Sequence, residues 1–154
     1  MKPPKSTERR LKLGLAQIKT EFGNPHANLE KHLNFIEQAR SEEVELLCFP
    51  ELSLTGYALK DLVAQTAISV GPDSPLFAPL LESSWKLDLV VGFIEEDSRY
   101  RFRIASAYLS GGKVIHVHKK VYLPTYGMFD EARFLAAGDC FRAFDTRWGR
   151  IGLL

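Results

Sequence analysis

The sequence predicts a mixed α/β domain, in which a sheet of parallel and antiparallel strands carries helices on at least one face. Two observations predict this fold class. Up to residue 94, short apolar runs alternate with stretches of helical periodicity, which is typical of parallel strands joined by helices. Beyond residue 100, segments that alternate apolar and polar positions are separated by glycine-containing turns, which is typical of antiparallel hairpins.

The first part of the chain predicts a strand, a helix and a second strand. Residues 11–18 (LKLGLAQI) alternate and then become apolar, which favours a strand. A helix is expected over residues 25–40, because Asn24 suits an N-cap, Pro25 suits the first helical position and apolar residues recur at helical spacing. Residues 44–49 (VELLCF) form a continuous apolar run, which predicts a strand buried on both faces.

The remaining elements are predicted from the same patterns. A second helix is expected over residues 74–86, which start with Ser-Pro, and residues 87–94 (LDLVVGFI) predict a third buried strand. Two hairpins complete the pattern: residues 101–109 with 113–118, and residues 140–145 with 150–154.

Length and composition bound the function. The chain has 154 residues, 45% hydrophobic and 25% charged, which suits one soluble domain over residues 11–154 preceded by a flexible polar arm over 1–10. A formal net charge of +1 provides no overall field that would attract nucleic acid or an anionic membrane. No apolar run approaches the roughly 20 residues of a membrane span. Without an export signal, a cytoplasmic location is expected.

The stretch FPELSLTGY, residues 49–57, contains the first candidate catalytic group. Glu51 directly follows a predicted buried strand, and ligand sites of open α/β sheets lie beyond the carboxyl ends of strands. Apolar neighbours would remove solvent from this carboxylate and favour a role as a general base. The alternative is that Glu51 caps the following turn or pairs with a basic residue at the surface. Tyr57 is expected to pack against its neighbours.

The stretch HVHKKVYLPTYGMFDEARF, residues 116–134, contains the second group of candidates. Lys119 and Lys120 point to opposite faces of a predicted strand, so at most one of them faces a given pocket. A lysine in a desolvated site would stabilise negative charge on a reacting oxygen. The simpler alternative for Glu131 is an ion pair with Arg133. Two strand histidines raise a metal hydrolase as a weaker alternative, although no further ligand pattern supports a metal.

Together, LGLAQI, FPELSLTGY and HKKVYLPTYGMFDEARF resemble the nitrilase, or carbon–nitrogen hydrolase, superfamily in order and spacing. Within it, LTGYALKDL and KVYLPTYGMFDEARF most resemble the glutamine amidase domain of glutamine-dependent NAD synthetases and their stand-alone bacterial relatives. The resemblance implies that this chain forms the N-terminal half or more of a four-layer α-β-β-α sandwich with a mixed sheet. It also implies a glutamate–lysine–cysteine site that needs no cofactor and no metal.

The resemblance assigns roles to four residues. Glu51 matches the general base, and Lys120 matches the lysine that stabilises the oxyanion. Glu131 matches a second glutamate that supports the lysine or the base, and Tyr126 matches a tyrosine that helps to hold the substrate. The implied partner is a small carboxamide, for which glutamine is one candidate, and a homo-oligomer is expected by analogy.

The implied nucleophile has no match in the chain. In the family, a strand of the GRIGLL type leads within a few residues to the reactive cysteine, and the chain ends at Leu154 before reaching it. Cys48, expected to be a buried thiol, and Cys140 match no family nucleophile. The chain is therefore expected to be C-terminally truncated and inactive alone. The alternative is a non-catalytic module that binds a partner or a small amide.

Overall fold

A single mixed sheet forms the centre of the computed structural model, which describes residues 10–57 and 59–154. Its strands lie side by side in chain order: β1 (Leu13–Leu15), β2 (Leu46–Cys48), β3 (Asp88–Glu96), β4 (Phe102–Ser110) and β5 (Lys113–Lys119). Strands β1, β2 and β3 run parallel, whereas β3, β4 and β5 pair antiparallel. The predicted mixed α/β sheet is confirmed.

The other elements are four short helical segments, one long helix and a separate hairpin. In chain order they are α1 (Pro25–Ser41), a 3₁₀ turn (Lys60–Leu62), α2 (Val63–Thr66), α3 (Ala78–Ser83), α4 (Glu131–Phe134), and the hairpin strands β6 (Ala143–Thr146) and β7 (Gly149–Gly152). None of the helices in the described part of the chain is both long and apolar enough to cross a membrane.

One face of the sheet is covered by α1 and α3. Helix α1 begins as the sequence predicts, because Asn24 Oδ1 accepts a hydrogen bond from the Ala27 amide at 3.1 Å and Pro25 takes the first helical position. The helices and the sheet share one core of buried apolar side chains, among them Leu29, Ile36, Leu80, Leu89, Val91, Phe93 and Ala107. Burial of these side chains is the main force that holds this layer together.

The opposite face of the sheet is partly covered by the hairpin β6–β7. Phe144, Ile151 and Leu153 pack on a small apolar patch of the sheet, which consists of Leu46, Cys48, Val90 and Tyr108. Tyr108 is completely buried, and its ring lies edge-on to Phe144 with centroids 5.4 Å apart. This contact places the end of the chain next to the central strands.

A buried carboxylate fixes the hairpin to the sheet. Asp88, at the start of β3, has no exposed surface and accepts hydrogen bonds from Tyr108 Oη (2.6 Å) and Ser110 Oγ (2.6 Å) on β4. It also accepts hydrogen bonds from Arg147 Nε (3.0 Å) and Trp148 Nε1 (2.8 Å) in the hairpin turn. A buried charge is tolerated only with such full pairing, so Asp88 sets where the hairpin attaches.

Several predicted elements are shorter in the structure than the sequence predicts. The second strand spans Leu46–Cys48 instead of residues 44–49, and the strands of the last hairpin span Ala143–Thr146 and Gly149–Gly152. The first strand spans Leu13–Leu15 instead of residues 11–18. The second helix spans Ala78–Ser83 instead of residues 74–86, and turns flank it on both sides. Ser84 ends this helix because its hydroxyl bonds to the Leu81 carbonyl at 2.8 Å, a local alternative to continued helix. The predicted arm over residues 1–10 lies, except for residue 10, outside the described residues.

A buried histidine connects α1 to the loop that follows β2. His32 has no exposed surface; its Nδ1 lies 2.7 Å from the Asn28 carbonyl and its Nε2 lies 2.9 Å from Ser53 Oγ. Burial lowers the pKa of His32 from 6.5 to about 4, against the opposite effect of the Asn28 carbonyl. The imidazole is therefore neutral in the folded protein at neutral pH.

The shifted pKa of His32 predicts acid sensitivity. The unfolded chain takes up a proton on His32 below pH 6.5, whereas the folded chain takes it up only below pH 4 or so. As the pH is lowered from 6.5 to about 4, the free energy of unfolding should therefore decrease by about 3 kcal/mol because of His32 alone. Denaturant unfolding across this range should therefore show a weaker pH dependence for His32→Gln than for wild type. The exposed control His26→Gln should keep the wild-type pH dependence, and equal slopes for all three proteins would contradict the prediction.

Candidate active site

Three separate segments of the chain bring charged side chains to one place. Glu51 follows the carboxyl end of β2, Lys120 follows the end of β5 and Glu131 is the first residue of α4. The Lys120 ammonium contacts both carboxylates, so the structure places these three sequence-predicted candidates together.

The backbone at Lys120 is fixed on both sides. The Lys120 amide donates to the Ile104 carbonyl at 2.9 Å, and the Lys120 carbonyl accepts from the Gly138 amide at 2.7 Å. Neighbouring side chains of an extended chain point to opposite faces. Accordingly, the Lys119 ammonium turns away and pairs with Glu95 Oε2 at 2.9 Å. The expected opposite orientation of the two lysines is confirmed.

The Lys120 ammonium lies between the two carboxylates at hydrogen-bond distance. Nζ is 2.9 Å from Glu51 Oε1, 3.1 Å from Glu131 Oε1 and 3.0 Å from Glu131 Oε2. Burial acts to lower the pKa of Lys120, but the hydrogen bonds and charges of Glu51 and Glu131 together outweigh it, and the pKa is raised. Lys120 therefore keeps its positive charge at neutral pH.

A tyrosine that was expected only to pack completes the cluster. Tyr57 Oη donates a hydrogen bond to Glu131 Oε1 at 2.6 Å. Burial raises the pKa of Tyr57, and the hydrogen bond and charge of Glu131 raise it further, so the phenol stays protonated and acts as a donor. No sequence signal separates such a tyrosine from an ordinary packed one, because its partner lies 74 positions away.

The solvent exposure of the two glutamates differs from the expectation. The Glu131 side chain is 6% exposed, whereas the Glu51 side chain is 47% exposed. The expectation that apolar neighbours desolvate Glu51 is therefore wrong for this structure, because Leu52 and Leu54 point into the core and leave Glu51 at the surface of the cavity. The alternative ion pair of Glu131 with Arg133 is wrong too, since Arg133 pairs with Asp130 at 3.6 Å.

Tyr126 and the two strand histidines have their ring contacts with phenylalanines instead of with the charged cluster. Tyr126 is 73% exposed, and its ring lies edge-on to Phe129 with centroids 5.8 Å apart. His116 is half-buried and stacks on Phe144; His118 is buried and stacks on Phe141. Among the described residues, no group of three or more histidine, cysteine or acidic side chains could hold a metal ion.

A cavity of about 230 Å³ contains the candidate base and lysine. Glu51, Lys120, Ser106 and His118 form its polar lining, and the last residues of the chain form part of its apolar wall. A second, smaller cavity of about 70 Å³ is lined by Tyr57, Glu131 and a ring of apolar side chains. Glu131 therefore lines a different cavity from the one that contains Glu51 and Lys120.

Neither cysteine of the chain lines the cavity that contains Glu51 and Lys120. Cys48 is half-buried within β2, less than expected, and burial raises the pKa of its thiol. Cys140 is exposed and lines a different, basic cavity beside His116 and His118. A raised pKa reduces the thiolate fraction, so Cys48 is unsuited to act as a nucleophile at neutral pH.

This arrangement occurs in a chain that belongs to the carbon–nitrogen hydrolase family, whose family model matches residues 12–154. Among curated relatives, the glutamine-dependent NAD(+) synthetase of Acinetobacter baylyi is 30% identical over 146 residues, which are 93% of this chain and 26% of that protein. The chain spans about a quarter of the length of the first curated relatives that it matches.

Solved structures of the same superfamily also resemble this chain. The glutamine-dependent NAD+ synthetase of Acinetobacter baumannii is 26% identical with a TM-score of 0.76, and the match covers 91% of this chain and 26% of that one. Saccharomyces cerevisiae Nit3, a member of branch 10 of the nitrilase superfamily, is 25% identical with a TM-score of 0.79 over 92% of this chain and 54% of that one. The sheet and helices described above are those of nitrilase-superfamily proteins.

Because Lys120 contacts both Glu51 and Glu131, its pKa should change when Glu131 is replaced by glutamine. The substitution removes one carboxylate charge from the ammonium, so the pKa of Lys120 should fall and Lys120 should lose its proton at lower pH than in wild type. An NMR titration of the Lys120 Nζ and Cε signals measures this value. Asp130→Asn is the matched control, because it changes a neighbouring carboxylate whose ion-pair partner among the described residues is Arg133. An equal pKa in wild type and Glu131→Gln would contradict the prediction.

Proposed function

We propose that the protein takes part in hydrolysis of a carboxamide to the acid and ammonia through a cysteine thioester. The observation that carries this proposal is the contact of the Lys120 ammonium with Glu51 at 2.9 Å, inside a cavity of a carbon–nitrogen hydrolase chain. A carboxylate can accept a proton and an ammonium group can stabilise an oxyanion, which are the two tasks that thiol-dependent amide hydrolysis requires.

In the proposed reaction, Glu51 takes the proton of a thiol, and the thiolate attacks the amide carbonyl carbon. The carbonyl oxygen becomes an oxyanion, which the Lys120 ammonium stabilises. When the C–N bond breaks, Glu51 returns the proton to the nitrogen, and ammonia leaves. Glu51 then accepts a proton from water, and the resulting hydroxide attacks the thioester. The C–S bond breaks, the acid leaves, and Glu51 returns its proton to the thiolate.

Glu131 and Tyr57 support this chemistry without contacting the reacting atoms. Glu131 holds the ammonium from the side opposite Glu51, and the hydroxyl of Tyr57 holds Glu131 at 2.6 Å. Tyr126 is proposed to contact the substrate, and its ring, 73% exposed, is free to do so.

The nucleophile is proposed to be neither cysteine of this chain. Cys48 has a raised pKa, and Cys140 lies at another cavity. The 154 residues are therefore proposed to be inactive alone, and the thiol comes from a segment outside them. Leu153 and Leu154 line the same cavity as Glu51 and Lys120, which supports this proposal.

Glutamine is the proposed substrate. The first curated relatives are named glutamine-dependent NAD(+) synthetases, and a terminal carboxamide fits the proposed chemistry. A cytoplasmic location and a homo-oligomer stay predictions.

We expect the 154-residue chain by itself to hydrolyse no glutamine. Purified protein should release no ammonia from glutamine above the buffer rate, because no thiol lines the cavity of Glu51 and Lys120. A coupled glutamate dehydrogenase assay measures the ammonia. Ammonia release that disappears in Glu51→Gln would contradict the assignment of the nucleophile to residues outside the chain.

The two adjacent lysines provide a matched pair of variants in the full product of the gene. Lys120→Ala should lower kcat/KM for glutamine by about 10²–10³-fold, since it removes an oxyanion donor. Lys119→Ala should change it little, because Lys119 pairs with Glu95 on the other face. Steady-state ammonia release from both variants tests the proposal, and equal effects of the two substitutions would oppose the role of Lys120.

The second candidate function is a non-catalytic module that binds a small amide or a partner. The observation that favours it is the lack of a thiol in the cavity lining. The full gene product separates the two functions. Saturable glutamine binding in calorimetry without ammonia release would favour the binding module, whereas release that depends on Glu51 and Lys120 would favour the hydrolase.

A further inference from the structure

The loop that contains Glu51 lies directly against a glycine of the central strand β3. A methyl group on Gly92 would lie 2.6 Å from the Pro50 carbonyl oxygen, 2.7 Å from the Leu52 amide nitrogen and 3.0 Å from the Glu51 α-carbon. All three are backbone atoms, so no side chain could rotate away to make room. Only glycine therefore permits this approach of the loop to the strand.

The same loop is held in a strained backbone conformation. Leu52, directly after Glu51, has a φ of 52°, in the left-handed region that a branched side chain rarely adopts, and it is only 3% exposed. Backbone hydrogen bonds enclose this residue: Leu54 N donates to the Gly92 carbonyl at 3.0 Å, and Gly56 N donates to the Leu52 carbonyl at 2.7 Å. Such strain persists only where the surroundings determine the conformation fully.

Buried side chains of α1 hold the loop from its other side. Ser53 Oγ lies 2.9 Å from His32 Nε2 and 3.3 Å from the Gly92 carbonyl oxygen. Asn28 Nδ2 donates to the Leu54 carbonyl at 2.9 Å. These hydrogen bonds from α1 therefore hold the loop against β3 at Gly92.

The carboxylate of Glu51, in contrast, has little support of its own. Its side chain is 47% exposed, and its ion-pair partner in the described chain is the Lys120 ammonium. A half-exposed side chain has rotamer freedom, so the position of its α-carbon decides which rotamers reach Lys120.

We propose that Gly92 is a positioning residue: the bare α-carbon of Gly92 against residues 50–52 sets the distance between the Glu51 carboxylate and the Lys120 ammonium. The catalytic consequence rests on the proposed function of Glu51 as the base. The geometric statement does not, and it is tested without any assay of hydrolysis.

The test uses the pKa of Lys120, measured by NMR titration of its Nζ and Cε signals, as the readout of contact with Glu51. Gly92→Ala should displace the loop, and the pKa of Lys120 should fall toward the value in Glu51→Gln, which lacks the charge altogether. Gly152→Ala is the matched control, because its nearest neighbour is the Arg142 carbonyl oxygen at 4.0 Å. That variant should keep the wild-type pKa of Lys120.

A double variant separates positioning from general damage. If Gly92 acts through Glu51, Gly92→Ala should add nothing to the effect of Glu51→Gln on the pKa of Lys120. A folded Gly92→Ala protein with the wild-type pKa of Lys120 would overturn the proposal, and so would an additive effect in the double variant. Should Gly92→Ala fail to fold, Ser53→Ala tests the proposal in its place. It removes the contact with His32, and a smaller fall in the pKa of Lys120 is expected, whereas an unchanged value overturns the proposal.

In the full gene product, Gly92→Ala should lower kcat more than it raises KM, because it moves the proposed base, which acts in the chemical steps. If that product hydrolyses no amide, the titration still tests the position of Glu51. Failure of the proposed function is then distinguishable from failure of the positioning role.

Discussion

The site depends on one ammonium group placed between two carboxylates. Without Lys120, Glu51 and Glu131 would repel each other, and Glu131, 6% exposed, would be a buried charge without a cation. Such a charge costs several kcal/mol or takes up a proton instead. Lys120 therefore allows the loop after β2 and helix α4 to bring their carboxylates close together. The same two carboxylates raise the pKa of Lys120.

The sheet supplies the precision that this ion cluster needs. Glu51 and Lys120 both follow the ends of sheet strands, so backbone hydrogen bonds of the sheet fix where each α-carbon lies. Buried polar groups do the same for the covering layers: Asp88 attaches the hairpin β6–β7, and His32 attaches α1 to the Glu51 loop. The apolar core alone would hold the layers together without fixing their register to within a hydrogen-bond distance.

The sequence was sufficient for the sheet and for part of the site. Continuous apolar runs identified β2 and β3 because parallel strands are buried on both faces, and the Asn24-Pro25 pair located the start of α1. The proposed roles of Glu51, Lys120 and Glu131 come from motif resemblance, since nothing local distinguishes Glu131 from a surface acid. Tyr57 could not be predicted, because its contact joins distant segments. Gly92, a glycine inside a strand pattern, was a readable sign of close backbone approach.

The net charge of the cluster affects the order of steps in the proposed reaction. Two carboxylates and one ammonium have one negative charge in excess, so an anionic substrate group is repelled from the cluster. Once Glu51 is protonated, its attraction for the Lys120 ammonium weakens, and an N–H of that ammonium becomes available to a new anion. In the proposed reaction the oxyanion forms at that moment, so proton transfer to Glu51 and stabilisation by Lys120 would be coupled through a single contact of 2.9 Å. In this proposal, the contacts of Glu131 with the ammonium keep Lys120 in place while its other partner changes from Glu51 to the oxyanion.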